Sequence, residues 1–460
     1  MVRYTLLLAI AFVYFNNLGL NQVWQPNEAF YAYGAREMLR TGDFITPVYN
    51  GEIRLNKPPM TYWITALSFM IFGVNELALR LFQAVLGLGT GVLTYLIGRR
   101  LFDKRSALFS AVILLSSFLF VANSRYTSPE VILTFFTTLT LFLWLEGYST
   151  RNNTLIVLAF VSSALGVLTK GPVGFVMPAL IVFTYLLLTD RRELLRPVYY
   201  LGTLVTVLIS GWWYLYQLLE NGDVFVHVFF KENVKRVYGL ESDPVYYYLL
   251  DVPVSFLPYS FLIYPALIWS LGRRNSVFPM VWFLSFFIVF SLVKMKLPVY
   301  ILPAYPAMAL LTGHFLTEAK SMAITLSLLV LGFLQITAMW AGGFLFKPDV
   351  AVLLPLSLLA VVPLVFKELR LFPAYCGVAL LIFISSSLLP LVEEKRPYRD
   401  IGEEIKRIDP RRELKTYEIG KFHENLPFYA DRVILRREPS EGPAILLSAR
   451  VPKGCRVVKS

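Results

Sequence analysis

"WQPNEAFYAYGAREMLRTGDFITPVYNGEIRLNKPPMTYW" (residues 24–63) gathers Asn27, Glu28, Glu37, Asp43, Glu52 and Lys57 ahead of two prolines, between stretches that are almost wholly apolar. A polar segment of this kind reads as a long loop between membrane spans, and the rest of the chain agrees. Hydrophobic residues make up 56% of the 460 positions and charged residues only 16%, which excludes an ordinary soluble globular chain. Thirteen apolar runs, near residues 4–20, 79–98, 107–122, 131–148, 155–168, 173–188, 199–219, 252–271, 277–293, 299–316, 322–345, 351–366 and 371–391, are candidates to cross roughly 30 Å of hydrocarbon. The fold class expected is an all-α polytopic membrane protein of about thirteen transmembrane helices. The apolar run at 61–72 is too short to span and suits a helix lying at the interface.

The clusters "RRLFDKR" (99–105), "DRRELLR" (190–196), "GRR" (272–274) and "KELR" (367–370) all follow even-numbered spans. The positive-inside rule then puts the N-terminus in the cytoplasm. The first loop (21–78), the loops around Tyr126 and 221–248, and the tail from Glu393 face the other side. Arg3 precedes an apolar run, but no small-residue cleavage site follows it, so a retained span is expected rather than a signal peptide. Topogenic Lys and Arg account for much of the +12 net charge, and no nucleic-acid partner is needed to explain it. Cys376 and Cys455 lie in the last span and the tail, an arrangement that does not suggest a disulfide. His227, His314 and His423 lack metal-ligand spacing.

Two units are expected: a membrane domain over 1–392 and a small extracytoplasmic α/β domain over 393–460, docked on the membrane part because its own core is marginal. Within the tail, "YRDIGEEIKRI" has Ile401, Ile405 and Ile408 at helical spacing, while "RVILRR", "AILLSARV" and "CRVV" read as strands. "GLGTG" (87–91) resembles a nucleotide loop but lies inside a span, where small residues serve helix packing.

Charges near membrane depth are costly and commonly mark function. Four places qualify, all on the extracytoplasmic face: Asn27–Glu28 with Lys57, Glu130 in "SRYTSPE" (124–130), Lys170 in "LTKGP" (168–172), and "KMKLPVYILP" (294–303). The plain alternative for each lysine is an interfacial anchor. Together, the carboxylates Glu28 and Glu130 suit orientation or deprotonation of a hydroxyl. Lys57, Lys170, Arg236, Lys294 and Lys296 suit a phosphate and the charge that develops on it as it leaves. Nucleotide sugars are not available outside the cytoplasm, which points to a lipid-carried donor.

The first loop, taken with "LTKGP", "FFKENVKR" (229–236), "KLPVYILP" and "ENLPFYADR" (424–432) in that order, resembles the polyprenyl-phosphate-dependent glycosyltransferases of the protein O-mannosyltransferase-like superfamily. Among these it is most similar to the bacterial lipid A aminoarabinose and galacturonic acid transferases. The resemblance implies a GT-C fold with juxtamembrane helices in the first loop and a cavity at the extracytoplasmic leaflet of the inner membrane. It implies an undecaprenyl- or other polyprenyl-phosphate sugar as donor and a lipid A-like, glycan or protein acceptor among membrane lipids. No cofactor is fixed by it; a divalent cation stays open. By motif, Lys57 resembles the lysine that grips the donor phosphate, and Arg236 and Tyr300 its arginine and tyrosine partners; Lys170 and Lys296 are further candidates.

The family's Asp-Glu dyad reads here as Asn27-Glu28, and an amide cannot accept a proton at neutral pH. Phe30 stands where an arginine is common, Asn56 where a glutamate often precedes the lysine, and Pro129-Glu130 where an aspartate is usual. The expectation is an active glycosyltransferase with Glu28 or Glu130 as base, or with an already ionised phosphate as acceptor. A lipid-binding homologue that has lost transfer, and a transporter, remain alternatives; inverted repeats and broken spans of the transporter kind are not visible in the sequence.

Overall fold

The computed structural model describes residues 2–232, 243–319, 321–346, 350–436 and 443–448. Helices account for most of them. In chain order they begin with α1 (Val2–Phe15), then α2 (Asn27–Thr41) and α3 (Met60–Phe72) in the first loop. The membrane helices α4 (Glu76–Leu101), α5 (Lys104–Ser116), α6 (Phe118–Ser124), α7 (Pro129–Thr150), α8 (Asn153–Lys170), α9 (Val173–Thr189) and α10 (Pro197–Phe230) follow. Helix α4 illustrates why these segments are helical: Asn75 caps it by accepting from the Ala78 N–H, and Arg99 and Arg100 sit in its last turn, where cations favour the dipole. The "GLGTG" glycines are packing residues. A Cβ on Gly87 would lie 2.4 Å from Ser124 Oγ, and one on Gly91 2.5 Å from Leu115.

All thirteen apolar runs fall on helices, but the count of thirteen spans is not confirmed. Among the described residues, eight helices are long and apolar enough to cross a membrane, and up to ten if each of two bent pairs is one span. Helices α1, α9 and Leu353–Val365 have 14, 17 and 13 residues, at or below the lower end of the 17–25 that a span needs. Helix α3, with 13 residues, is about 20 Å long at 1.5 Å per residue. It buries Tyr62, Ala66 and Phe69 and exposes Met70 and Ile71, as an interfacial helix would.

The sequence reading found no broken spans, and here the structure corrects it. Helices α5 and α6 bend by 65° at Ser117, and Tyr247–Ser255 meets Ser260–Ser270 at 118°. The second break contains Pro258, whose missing N–H interrupts a helix. The two breaks meet: the Phe118 N–H donates to the Leu257 carbonyl (2.8 Å), and Ser116 Oγ bonds Tyr259 Oη (2.8 Å). Each break thus satisfies backbone that the other frees, as a low-dielectric setting requires. Sequence periodicity carries no trace of such a mutual repair.

The tail is α/β. Helix Tyr398–Ile408 buries Ile405, and a parallel three-stranded sheet has β3 (Lys415–Glu418) at its centre, flanked by β4 (Ile434–Leu435) and β5 (Ala444–Leu447). The central strand escaped the sequence reading because "KTYE" has no apolar run. "CRVV" and Cys455 lie outside the described residues, and Cys376 is buried with its thiol free. The first loop carries a short hairpin, β1 (Val48–Tyr49) with β2 (Glu52–Ile53), that was also missed.

Tail and first loop are tied together closely. Asn50 Nδ2 donates to the Ile434 carbonyl while the Ile434 N–H returns to Asn50 Oδ1, both at 2.8 Å. Asn425 Nδ2 donates to the Val23 carbonyl (3.0 Å), the Val23 N–H donates to Tyr429 Oη (2.7 Å), and Tyr429 Oη donates to Glu76 (2.9 Å). Arg36 donates to the Phe428 carbonyl at 2.6 Å.

Candidate functional site

Three polar groups stand out, the first two built on the first loop. The first is Glu28, in the opening turn of α2 and fully buried. Arg80 Nε and Nη2 reach its two oxygens at 2.8 and 2.7 Å, the Trp24 N–H donates at 2.9 Å and the Thr127 N–H at 3.1 Å. A carboxylate offers about four acceptor positions, and four donors occupy them. Arg80 in turn donates to the carbonyls of Leu18, Asn21 and Gln22. Asn27, beside Glu28, is solvent-exposed at the start of the helix.

The second group is the KPP turn. Lys57 Nζ lies 2.8 Å from Glu232 Oε2, and Asn56 Nδ2 donates to Glu232 Oε1 at 3.1 Å. Glu232 belongs to "FFKENVKR", so that motif and the KPP turn are neighbours in space. Arg236 lies outside the described residues. The third group joins three separate helical segments. Lys170, in the last turn of α8, pairs with Glu130 in the first turn of α7 at 3.0 Å, and its ammonium lies 4.8 Å from the Tyr300 ring centroid. Tyr300 sits in the short 3₁₀ turn Pro298–Ala304.

One apolar cluster underlies the second and third groups. Leu55 and Met60 bracket the lysine turn, Ile132 follows Glu130, Leu168 precedes Lys170, and Phe225 leads to Glu232. The Tyr31 and Tyr62 rings meet at 4.8 Å, tilted by 54° to each other. Burial pushes the Tyr31 phenol well above its ordinary range, with the neighbouring Tyr62 and the negative Glu130 adding to it, so Tyr31 stays a neutral hydrogen-bond donor at physiological pH. Lys296 is placed differently. Its ammonium donates to the Asp243 carbonyl (2.9 Å), and its N–H to the Asp243 carboxylate (2.8 Å).

Sequence reasoning missed Arg80, Glu232 and Arg54. Arg54, in the irregular segment just after β2, lies 3.5 Å over the Phe30 ring, so a guanidinium is present where the sequence lacks an arginine. The signal for Arg80 was a lone arginine four residues into an apolar helix, which is expensive unless paired. Among the described residues no three His, Cys, Asp or Glu side chains come together as a metal site.

The family model for dolichyl-phosphate-mannose-protein mannosyltransferase matches residues 1–225. An uncharacterized protein of Aquifex aeolicus is 54% identical over 98% of this chain and 92% of its own length. The undecaprenyl phosphate-alpha-4-amino-4-deoxy-L-arabinose arabinosyl transferase 1 of Proteus mirabilis is 30% identical over 69% of this chain, which spans 60% of that relative's length. The crystal structure of ArnT from Cupriavidus metallidurans bound to undecaprenyl phosphate superposes with a TM-score of 0.81 at 23% identity, over 93% of this chain and 84% of that one.

Proposed function

The chain belongs to the polyprenyl-phosphate-dependent GT-C glycosyltransferases of the protein O-mannosyltransferase-like superfamily, and from that premise we propose that it moves a sugar from a polyprenyl phosphate to an acceptor at the extracytoplasmic face. The observation that carries the reading is the convergence of the Lys57 turn and the Glu130–Lys170–Tyr300 group on one apolar cluster. Four distant segments of the chain supply these side chains, which separate interfacial anchors would not require.

In the proposed reaction an acceptor oxygen attacks the anomeric carbon. The bond from that carbon to the phosphate oxygen breaks, and its electron pair leaves with the polyprenyl phosphate. Charge on the phosphate rises as it departs, so a cation fixed there lowers the barrier more than it tightens substrate binding. Lys57 has that role, with Tyr300 donating a hydrogen bond and Arg236 and Lys170 as further cations. The acceptor proton passes to Glu130, which Lys170 holds in position; a phosphate acceptor already ionised needs no such transfer. Glu28 is the anchor of the first loop in this scheme, since its acceptor positions are taken, and Asn27 orients the donor sugar. The named arabinosyl transferase relatives support an undecaprenyl-phosphate donor and a lipid A-like acceptor. The retained cations argue against a homologue that only binds lipid, and the family argues against a transporter.

The test is purified protein in lipid nanodiscs supplied with a radiolabelled polyprenyl-phosphate sugar and lipid A. Label should move to the acceptor with wild-type protein and fall at least about tenfold with Lys57→Ala. Release of no label by wild-type protein, with or without acceptor, overturns the reading.

A further inference from the structure

A cavity of about 440 Å³ lies between α1, α6 and the last membrane helix (Leu369–Glu393), lined in part by Arg80, the partner of Glu28. Its lining combines the apolar Val13, Val121, Leu381, Ile384 and Leu389 with a polar wall of Asn21, Gln25, Asn123, Arg125, Tyr126 and Ser385. Three features of that wall point to a ligand. Asn21 is 6% exposed and its side-chain oxygen has no hydrogen-bond partner, which is costly unless a donor arrives. Arg125 pairs with no carboxylate among the described residues and donates only to the carbonyls of Val13 and Asn16. Arg80, which also lines the cavity, is neutralised by Glu28, so the wall carries one net positive charge. Finally, the last membrane helix is opened into a π turn at Ile384–Leu388, held by Asn16 donating to Ser385 and Ser386, and such turns recur at functional sites.

The cavity also adjoins the proposed reaction centre. Gln25 on its rim is two residues from Asn27, at most about 7 Å of extended chain, and Tyr126 is four from Glu130, at most about 14 Å. We infer that this cavity seats the acceptor lipid by its head, and that the head combines a phosphate, for Arg125, with a hydroxyl donor, for Asn21, on an alkyl body. The acceptor role rests on the proposed glycosyltransferase activity; the lipid seat does not.

Trp24 lines the cavity and reports on occupancy. Brominated phosphatidylglycerol, which has both a phosphate and hydroxyls, should quench tryptophan fluorescence saturably in the detergent-solubilised full chain, and Trp24→Phe should remove that component. Brominated phosphatidylcholine should give none. Ala122→Phe fills the exposed mouth of the cavity without deleting any polar partner, and should weaken phosphatidylglycerol at least about tenfold while polyprenyl phosphate affinity stays within about twofold. Competition by inorganic phosphate would support recognition of the phosphate itself; saturable lipid quenching without such competition would support recognition of the whole lipid. In transfer assays Ala122→Phe should raise the KM for lipid A about tenfold and leave kcat at saturation within about twofold. Equal quenching by the two lipids, or unchanged phosphatidylglycerol binding in Ala122→Phe, overturns the lipid seat. Unchanged KM alongside weakened binding overturns the acceptor role. Absence of transfer by wild-type protein would instead defeat the proposed activity and leave the binding result to decide the cavity.

Discussion

Replacing Glu28 by Gln separates an anchor from a base. The pair it forms with Arg80 is nearly inaccessible, at 0% and 2% exposure, and four N–H groups point at its two oxygens. Glutamine keeps the shape but presents an NH₂ to two of those donors, so two N–H groups lose an acceptor and the Arg80 guanidinium loses its counterion. Breaking a buried pair by removing one charge costs about 3–5 kcal/mol. At about 1.4 kcal/mol per tenfold, the folded population ratio should fall by roughly two to three and a half orders of magnitude. The assay is thermal unfolding in nanodiscs, followed by tryptophan fluorescence, alongside transfer measured well below the melting range. Glu28→Gln and Arg80→Met should each lower Tm markedly, and Glu28→Leu with Arg80→Met should recover part of the loss. A Glu28→Gln protein that melts with wild type yet transfers about 10²–10⁴-fold more slowly would refute the reasoning and make Glu28 the base.

Lys57→Ala should weaken polyprenyl phosphate binding by about 1.5–3 kcal/mol, measured by lipid titration; unchanged affinity removes Lys57 from the donor site. Glu130→Gln should lower transfer to a hydroxyl acceptor about 10²–10⁴-fold while donor affinity survives, and should spare transfer to a phosphate acceptor. Burial alone would raise the Asp409 carboxyl pKa, but Arg432 and the backbone N–H groups of Leu414 and Glu413 hold it below the ordinary range. A depressed carboxylate stabilises above its unfolded pKa of about 3.9 and loses that contribution as pH falls through the folded value. Acid unfolding of the tail, followed by proteolysis, should therefore begin at higher pH in Asp409→Asn; identical acid profiles would exclude the linkage. Reporter fusions after Lys104 and after Arg411 should lie in opposite compartments.

The helices of the membrane part were legible because apolar runs of span length leave few other structures available. Their straightness was not: the bends at Ser117 and Pro258 depend on a bond between Phe118 and Leu257, residues that no local pattern links. The site divides in the same way. Lys57, Glu130, Lys170 and Tyr300 were nameable because ordered motifs carry them, and the structure brings the last three together. Glu28 was nameable too, but its partner Arg80 lies 52 residues on and changes what the carboxylate can do. Glu232 lies in a recognised motif, but a phosphate site calls for that motif's cations and gives no reason to single out its carboxylate, which pairs with Lys57.

The ties between first loop and tail set an order of events during synthesis. Val23 meets Asn425 across 402 positions of chain. At about 5–20 residues per second, its partner is made roughly 20–80 s after it. For that interval the nascent chain holds nearly all its spans but an unclosed loop, with Val23 and Glu76 lacking their Tyr429 partner and Asn50 lacking Ile434. A chain truncated near residue 400 would insert into the bilayer and still leave its first loop unfinished. The last residues to be synthesised are therefore the ones that switch the polypeptide from inserted to assembled.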